Sequence, residues 1–487
     1  MNRRTFIHAT GSLGLAGGLG LAKADSPVAA LLQLFEDSPR EQVPRELVRR
    51  IRAGARYEDV LGALTLATVR NVQPYPDVGF KYHAVMMLRS IDSTTQHLPA
   101  ADRWLPLVWA ADYFKESQAE ERAAGGWRQP SRPAVSRADA NSTQRALIAA
   151  LDDWDRDAAD AAIATYAHLA STDQIFSLLF RYGARDLRAI GHKAISVCNA
   201  HVLTVLLGSA QAEPVLRSTV AALLNSEEEP NPATHDLSPD RPWRKNLQRL
   251  SLIPPAWKQG NGHDDSGART DLRARLYQTS PEDAGAAVVE LLRQGISPDA
   301  IWEVLFETAA ELVLRQPGIV ALHSQTTANA LHYAYVTCHD DQTRQLTLLQ
   351  CAAFVALFRQ MTGARSEDVD LPALRPISPD HAGGDAVAEI FSELSARRRL
   401  RAAQKCLGYL HQGGDPERII ATARHHLVNG AEEAHDYKFS EAVLDSYSQL
   451  ADPAWRFRFL SAGMAYFKAP ASRPGAIVEE ARELLVS

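Results

Sequence analysis

Apolar residues recur at spacings of three and four along most of this chain, as in Val60, Leu61, Leu64 and Ala67, or Ile301, Trp302, Leu305 and Ala309. That period is the signature of amphipathic helices, and strand-like alternation is nearly absent, so the pattern predicts an all-α protein. Breakers interrupt it in three stretches, roughly 117–141, 226–270 and 363–384. Gly125-Gly126 with Pro130 and Pro133, and Pro254-Pro255 with Gly260-Asn261-Gly262, predict long loops there. The chain from 25 to 487 then reads as a single all-α domain of four helical units, roughly 25–116, 142–225, 271–362 and 385–487.

The units resemble one another. Asp59, Asp173, Asp299 and Asp415 each open an apolar helical pattern, and His83, His192, His323 and His435 follow 24, 19, 24 and 20 residues later. Units one and three also align through Arg103 and Arg344 and through Leu107 and Leu348, whereas units two and four match more weakly. The economical reading is two pseudo-repeated halves around a common centre. Each histidine follows a turn and is expected to begin a new helix: after Pro76-Asp77-Val78-Gly79, Gly183-Ala184-Arg185-Asp186, Gln316-Pro317-Gly318 and Asn429-Gly430. Helices around an axis can aim four such side chains inward at one metal ion.

A single histidine at a helix start is more often a cap or a partly buried polar residue, but four at equivalent places carry a different weight. Neutral imidazole suits iron, copper and zinc. Four of them add no charge, so a divalent ion in a dry core keeps its +2 unless an anion joins. Lys438, on the same helix face as His435, and Glu432 and Glu433 just before it are the nearby candidates. His332 and His339 read as helix-face residues, and His8, His97, His235, His263 and His381 as signal or loop residues. His425 and His426 point two ways on one helix. Met86 and Met87 read as core packing. The sequence contains no H-E-x-x-H, G-x-S-x-G, P-loop, C-x-x-C-H or flavin-binding motif, which argues against zinc peptidases, serine hydrolases, nucleotide hydrolases and c-type cytochromes.

The composition is that of a soluble globular protein, and a net charge of -6 without a basic stripe gives no reason to expect nucleic acid. Asn2-Arg3-Arg4-Thr5-Phe6-Ile7, the Gly/Ala/Leu-rich run to Ala22 and the small-residue site Ala22-Lys23-Ala24 read as a twin-arginine signal over 1–24. The expectation is export to the periplasm by the twin-arginine machinery, cleavage near Asp25 and no stable membrane insertion afterwards. Cys198, Cys338, Cys351 and Cys406 lack C-x-x-C spacing and read as packed free thiols.

Four strings resemble the questin oxidase-like family in order along the chain: Tyr82-His83-Ala84-Val85-Met86, Gly191-His192-Lys193-Ala194-Ile195, His323-Ser324-Gln325-Thr326 with Ala330-Leu331, and His435-Asp436-Tyr437-Lys438 with Glu441-Ala442. The last is the most specific. Tyr82 replaces the family's Asn, its Pro is missing, and Lys193 stands where an aliphatic residue or proline is expected. The resemblance implies a flavin-free, iron(II)-dependent mono- or dioxygenase that opens a ring of a small aromatic, quinone-type substrate with dioxygen. It implies iron held by His83, His192, His323, His435 and a carboxylated Lys438, all at the catalytic centre. Beside it stand two other readings: a non-catalytic helical-repeat binding scaffold with structural histidines, and a copper- or haem-binding helical protein.

Overall fold

Each long apolar period forms a helix in the computed structural model, and the described residues contain no strand. They are 27–74, 80–133, 139–224, 230–232, 234–260, 266–362 and 369–486. The expected signal segment, the Pro76–Gly79 turn, His8 and His263 lie outside them.

Four times the chain runs through a feeder helix and then a helix that carries one of the four histidines. The feeders are Tyr57–Asn71, Thr172–Gly183, Pro298–Arg315 and Pro416–Gly430. Tyr57–Asn71 and Pro298–Arg315 are buried on almost every face, as expected of helices apolar all round. The aspartates that mark their starts differ in role. Asp415 is an N-cap whose side chain accepts from the Glu417 N–H, whereas Ser171 and Ser297 cap the next-residue helices and leave Asp173 and Asp299 in the first turn. The first feeder begins at Tyr57, so Asp59 also lies inside its first turn, where a carboxylate complements the helix dipole.

The histidine helices are α1 (His83–Met86), which continues after Met87 as α2 (Leu88–Gln96), then α3 (His192–Leu207), α4 (Ile319–Thr337) and α5 (Ala434–Gln449). α3 packs on α1 and α2, α4 on α3, α5 on α4, and α2 on α5, which closes a ring in chain order. The stretch Arg188–Leu207 is long and apolar enough to cross a membrane by composition, but its window is 72% buried, as a central helix of a helical body must be.

Two loop boundaries are corrected. The helix Leu105–Ala123 runs past 116 and stops at Gly125 and Gly126, whose φ values of 127° and 75° end it. The stretch 226–270 contains the helix Arg241–Arg249, started by Pro242 in its first turn and held by buried Trp243 and Asn246, and the next helix begins at Ser266. The four cysteines are free and buried, as expected.

Candidate metal centre

The helix ring brings the four histidines together. All four are buried, and one potential ligand atom from each lies within 4.8 Å of the others. Nε2 of His83 lies 3.0 Å from Nε2 of His435, and Nε2 of His323 lies 2.8 Å from Nε2 of His192. Ring centroids go round in chain order at 5.1 Å (His83–His192), 4.6 Å (His192–His323), 5.1 Å (His323–His435) and 4.4 Å (His435–His83). Opposite edges of this quadrilateral match, as a two-fold relation of His83 to His323 and of His192 to His435 would require.

The spacing suits one ion. Nitrogens bound at about 2.0–2.3 Å lie about 2.8–3.3 Å apart at right angles and about 4.0–4.6 Å apart when opposite, whereas a tetrahedral set has every pair at about 3.3–3.8 Å. The two close pairs fit the right-angled arrangement better.

Local structure aims each ring. His83 and His192 are the first residues of their helices and His435 is the second, while His323 sits one turn inside α4, which starts earlier than the sequence pattern suggests. Tyr82, directly before His83, is held by a 2.8 Å hydrogen bond between its hydroxyl and that of Ser218. Nδ1 of His323 lies 2.5 Å from the Ile319 carbonyl, and Nδ1 of His435 lies 3.2 Å from Oε2 of Glu433. Both partners only accept, so both Nδ1 atoms carry the proton and both Nε2 lone pairs face the centre. Glu433 therefore orients a ligand from outside, and Glu432 reaches Lys468 at the surface; neither anionic candidate points inward.

Burial holds His192 and His323 well below the ordinary histidine pKa, with the nearby Lys438 charge adding to the effect. His435 is lowered chiefly by burial, against the opposing Glu433 hydrogen bond. Neutral imidazoles are the form that binds metal. Lys438 is buried as well, its amine has no hydrogen-bond partner among the described residues, and burial pushes its pKa down to about 7. A buried amine whose pKa is lowered, with no hydrogen-bond partner among the described residues, next to four Nε2 atoms that face one another, is a donor set that suits a cation and lacks only an anion.

Among the described residues the other histidines are not part of the cluster. His332 packs among Trp302, Phe306 and Tyr335, His97 ends α2 with Nδ1 2.8 Å from the Ser93 carbonyl, and exposed His381 pairs with Glu389. Met86 and Met87 are core residues. A cleft of about 500 Å³ lined by residues such as Asp152, Arg181, Tyr182 and Trp243 involves none of the four histidines. Sequence reasoning did not single out Glu433 as an orienting group, Ile319 as a carbonyl partner, or Gly191. At Gly191 φ is 87°, and a Cβ would meet Oγ1 of Thr327 at 2.0 Å. The glycine directly before His192 was the available signal.

No family model, curated protein or solved structure matches the chain.

Proposed function

We propose that the chain is an exported, iron-dependent oxygenase of questin oxidase-like type that uses dioxygen to open a ring of a small aromatic or quinone-type substrate. The observation that carries this reading is the convergence of His83, His192, His323 and His435 near the buried amine of Lys438, which has no hydrogen-bond partner among the described residues. The four imidazoles and Lys438 would hold the iron. Bound there, iron supplies the activation of dioxygen that a closed-shell aromatic substrate does not provide.

The chain's own residues prepare the centre. In its neutral form, which burial favours, the Lys438 amine can add to carbon dioxide: an N–C bond forms as one C=O π bond opens, one proton leaves to solvent or a neighbouring base, and the carbamate bears one negative charge. That charge offsets part of a divalent ion's +2 in a site from which water is largely excluded. The Ile319 carbonyl and the Glu433 carboxylate keep the Nδ1 protons of His323 and His435 in place. Glu433 is half-exposed and also accepts from the Tyr466 hydroxyl at 3.3 Å, so the rim next to His435 is the side from which a substrate would approach. Donor atoms within 4.8 Å of one another leave no space for a haem macrocycle between them.

The test is metal analysis of the full chain purified from cells that export it, with oxygen uptake measured on hydroxylated quinones. About one iron per chain is expected, with loss in His192→Ala and Lys438→Ala. Unchanged iron in both variants rejects the site, and one copper per chain rejects the assignment of iron.

A further inference from the structure

Three of the features around His192 are unlike those around its counterparts. Its Nδ1 is buried with no hydrogen-bond partner among the described residues, whereas His323 and His435 each have one. The backbone that delivers it is left-handed at three successive residues: Ala189 (φ 50°), Ile190 (φ 45°) and Gly191 (φ 87°). For the β-branched Ile190 this is a rare conformation, which persists only when its surroundings over-determine it. The third feature is Lys193, a buried lysine directly after the ligand that is ion-paired with Asp186, whereas the buried Lys438 near His435 has no hydrogen-bond partner among the described residues.

The surroundings do over-determine the turn. Asp186 spans it, with Oδ1 accepting from the Arg188 N–H at 3.1 Å and Oδ2 accepting from Nζ of Lys193 at 2.9 Å, so one carboxylate grips the chain on both sides of His192. The Arg188 guanidinium pairs with both oxygens of Asp240 at 3.3 and 2.7 Å, and the Leu187 N–H donates to the Pro239 carbonyl at 3.0 Å. Arg185, Arg188 and Lys193 all pack on the Trp154 ring, 4.3, 5.1 and 4.7 Å from its centroid. On the other side the Thr327 hydroxyl donates to the Ile190 carbonyl at 3.4 Å, close to where Gly191 leaves no space for a side chain.

We propose that the buried pair Lys193–Asp186, supported by Arg188–Asp240, is the positioning device for His192: it fixes the backbone on both sides of the ligand in place of the ring hydrogen bond that holds His323 and His435. This rests on the metal-centre reading above. Lys193 and Asp186 are positioning residues, acting on the centre through His192. A single anion shared across the turn gives the chain one stable arrangement there, which a ring free at Nδ1 needs if Nε2 is to stay beside Nε2 of His323.

The experiment is a cobalt(II) titration of the full chain, read by visible absorption, on the wild type, Asp186→Asn, the double variant Lys193→Met with Asp186→Leu, and His192→Ala. The double variant removes both charges but keeps apolar bulk, so it stays folded where a lone buried charge would not. Expected are cooperative unfolding of the double variant, cobalt affinity at least about tenfold weaker than wild type, an absorption spectrum of the bound cobalt that differs from that of wild type, and no stoichiometric uptake by His192→Ala. A folded double variant with wild-type affinity and spectrum overturns the proposal and reduces the pair to a stabilising contact. A wild type that takes up no cobalt overturns the metal-centre reading and this proposal with it.

Discussion

Glu433 and His435 share a 3.2 Å contact between Oε2 and Nδ1 that turns the other ring nitrogen of His435 toward His83. The carboxylate holds a proton on the outer nitrogen and so keeps the inner one basic. Glu433→Ala should weaken metal binding by about tenfold to a hundredfold with little loss of fold, while Glu433→Gln, which retains an acceptor, should lose less. Isothermal titration with a divalent metal checks the order of the three proteins; equal affinities would deny the contact an orienting role.

Removing one imidazole from the ring should do more. His83→Ala and His323→Ala take away opposite corners, so each should abolish stoichiometric metal binding, measured by elemental analysis after gel filtration. In the wild type, a chelator should lower the midpoint of thermal unfolding. Ligand at about a thousand times its dissociation constant stabilises by about 4 kcal/mol, and both variants should be insensitive to the chelator.

Lys438 should have opposite effects on the two forms of the protein. Without metal its buried amine has no hydrogen-bond partner among the described residues, and Lys438→Met should stabilise the chain by about 1–4 kcal/mol. With metal the same variant should bind more weakly than the wild type. Urea unfolding with and without metal gives both numbers, and a variant less stable in both states would mean that Lys438 has a structural partner.

The left-handed turn before His192 can be probed without touching the ring. Ala189→Gly removes a Cβ from a residue at φ 50° and should raise stability by about 0.5–1 kcal/mol. Gly191→Ala places a Cβ against Thr327 and should lower both stability and metal occupancy. Thermal unfolding distinguishes these, and a destabilising Ala189→Gly would argue that no strain resides there.

Away from the centre, Glu307 sets a pH dependence. Burial raises its carboxyl pKa to about 8, against the pull of Arg273. Between about pH 4.5 and 8 the unfolded chain has released this proton and the folded chain still holds it, so the unfolded state binds fewer protons and stability falls as pH rises. Over the whole window the effect is of the order of 5 kcal/mol at most. Glu307→Gln should flatten the slope in urea unfolding at pH 5, 6, 7 and 8, and an unchanged slope would place the titration elsewhere.

The sequence by itself determined that the protein is helical, because the spacing of residues such as Ile301, Trp302, Leu305 and Ala309 is a local property that each helix expresses on its own. It also singled out His83, His192, His323 and His435, since a repeated spacing survives in one dimension, and it marked Lys438 as sharing a face with His435. The hidden helix at Arg241–Arg249 escaped it, because proline, charge and glycine nearby look like a loop until Trp243 and Asn246 are buried by neighbours. Only the tertiary structure decided that the four helices close into a ring in chain order, which puts His83 beside His435 across 352 positions of sequence. It likewise decided that Glu433 serves from outside and that Lys193, a departure in the sequence pattern, is half of a buried pair. Those outcomes depend on which groups lose water together, and desolvation and long-range contacts are set by packing and cannot be read from spacing along the chain.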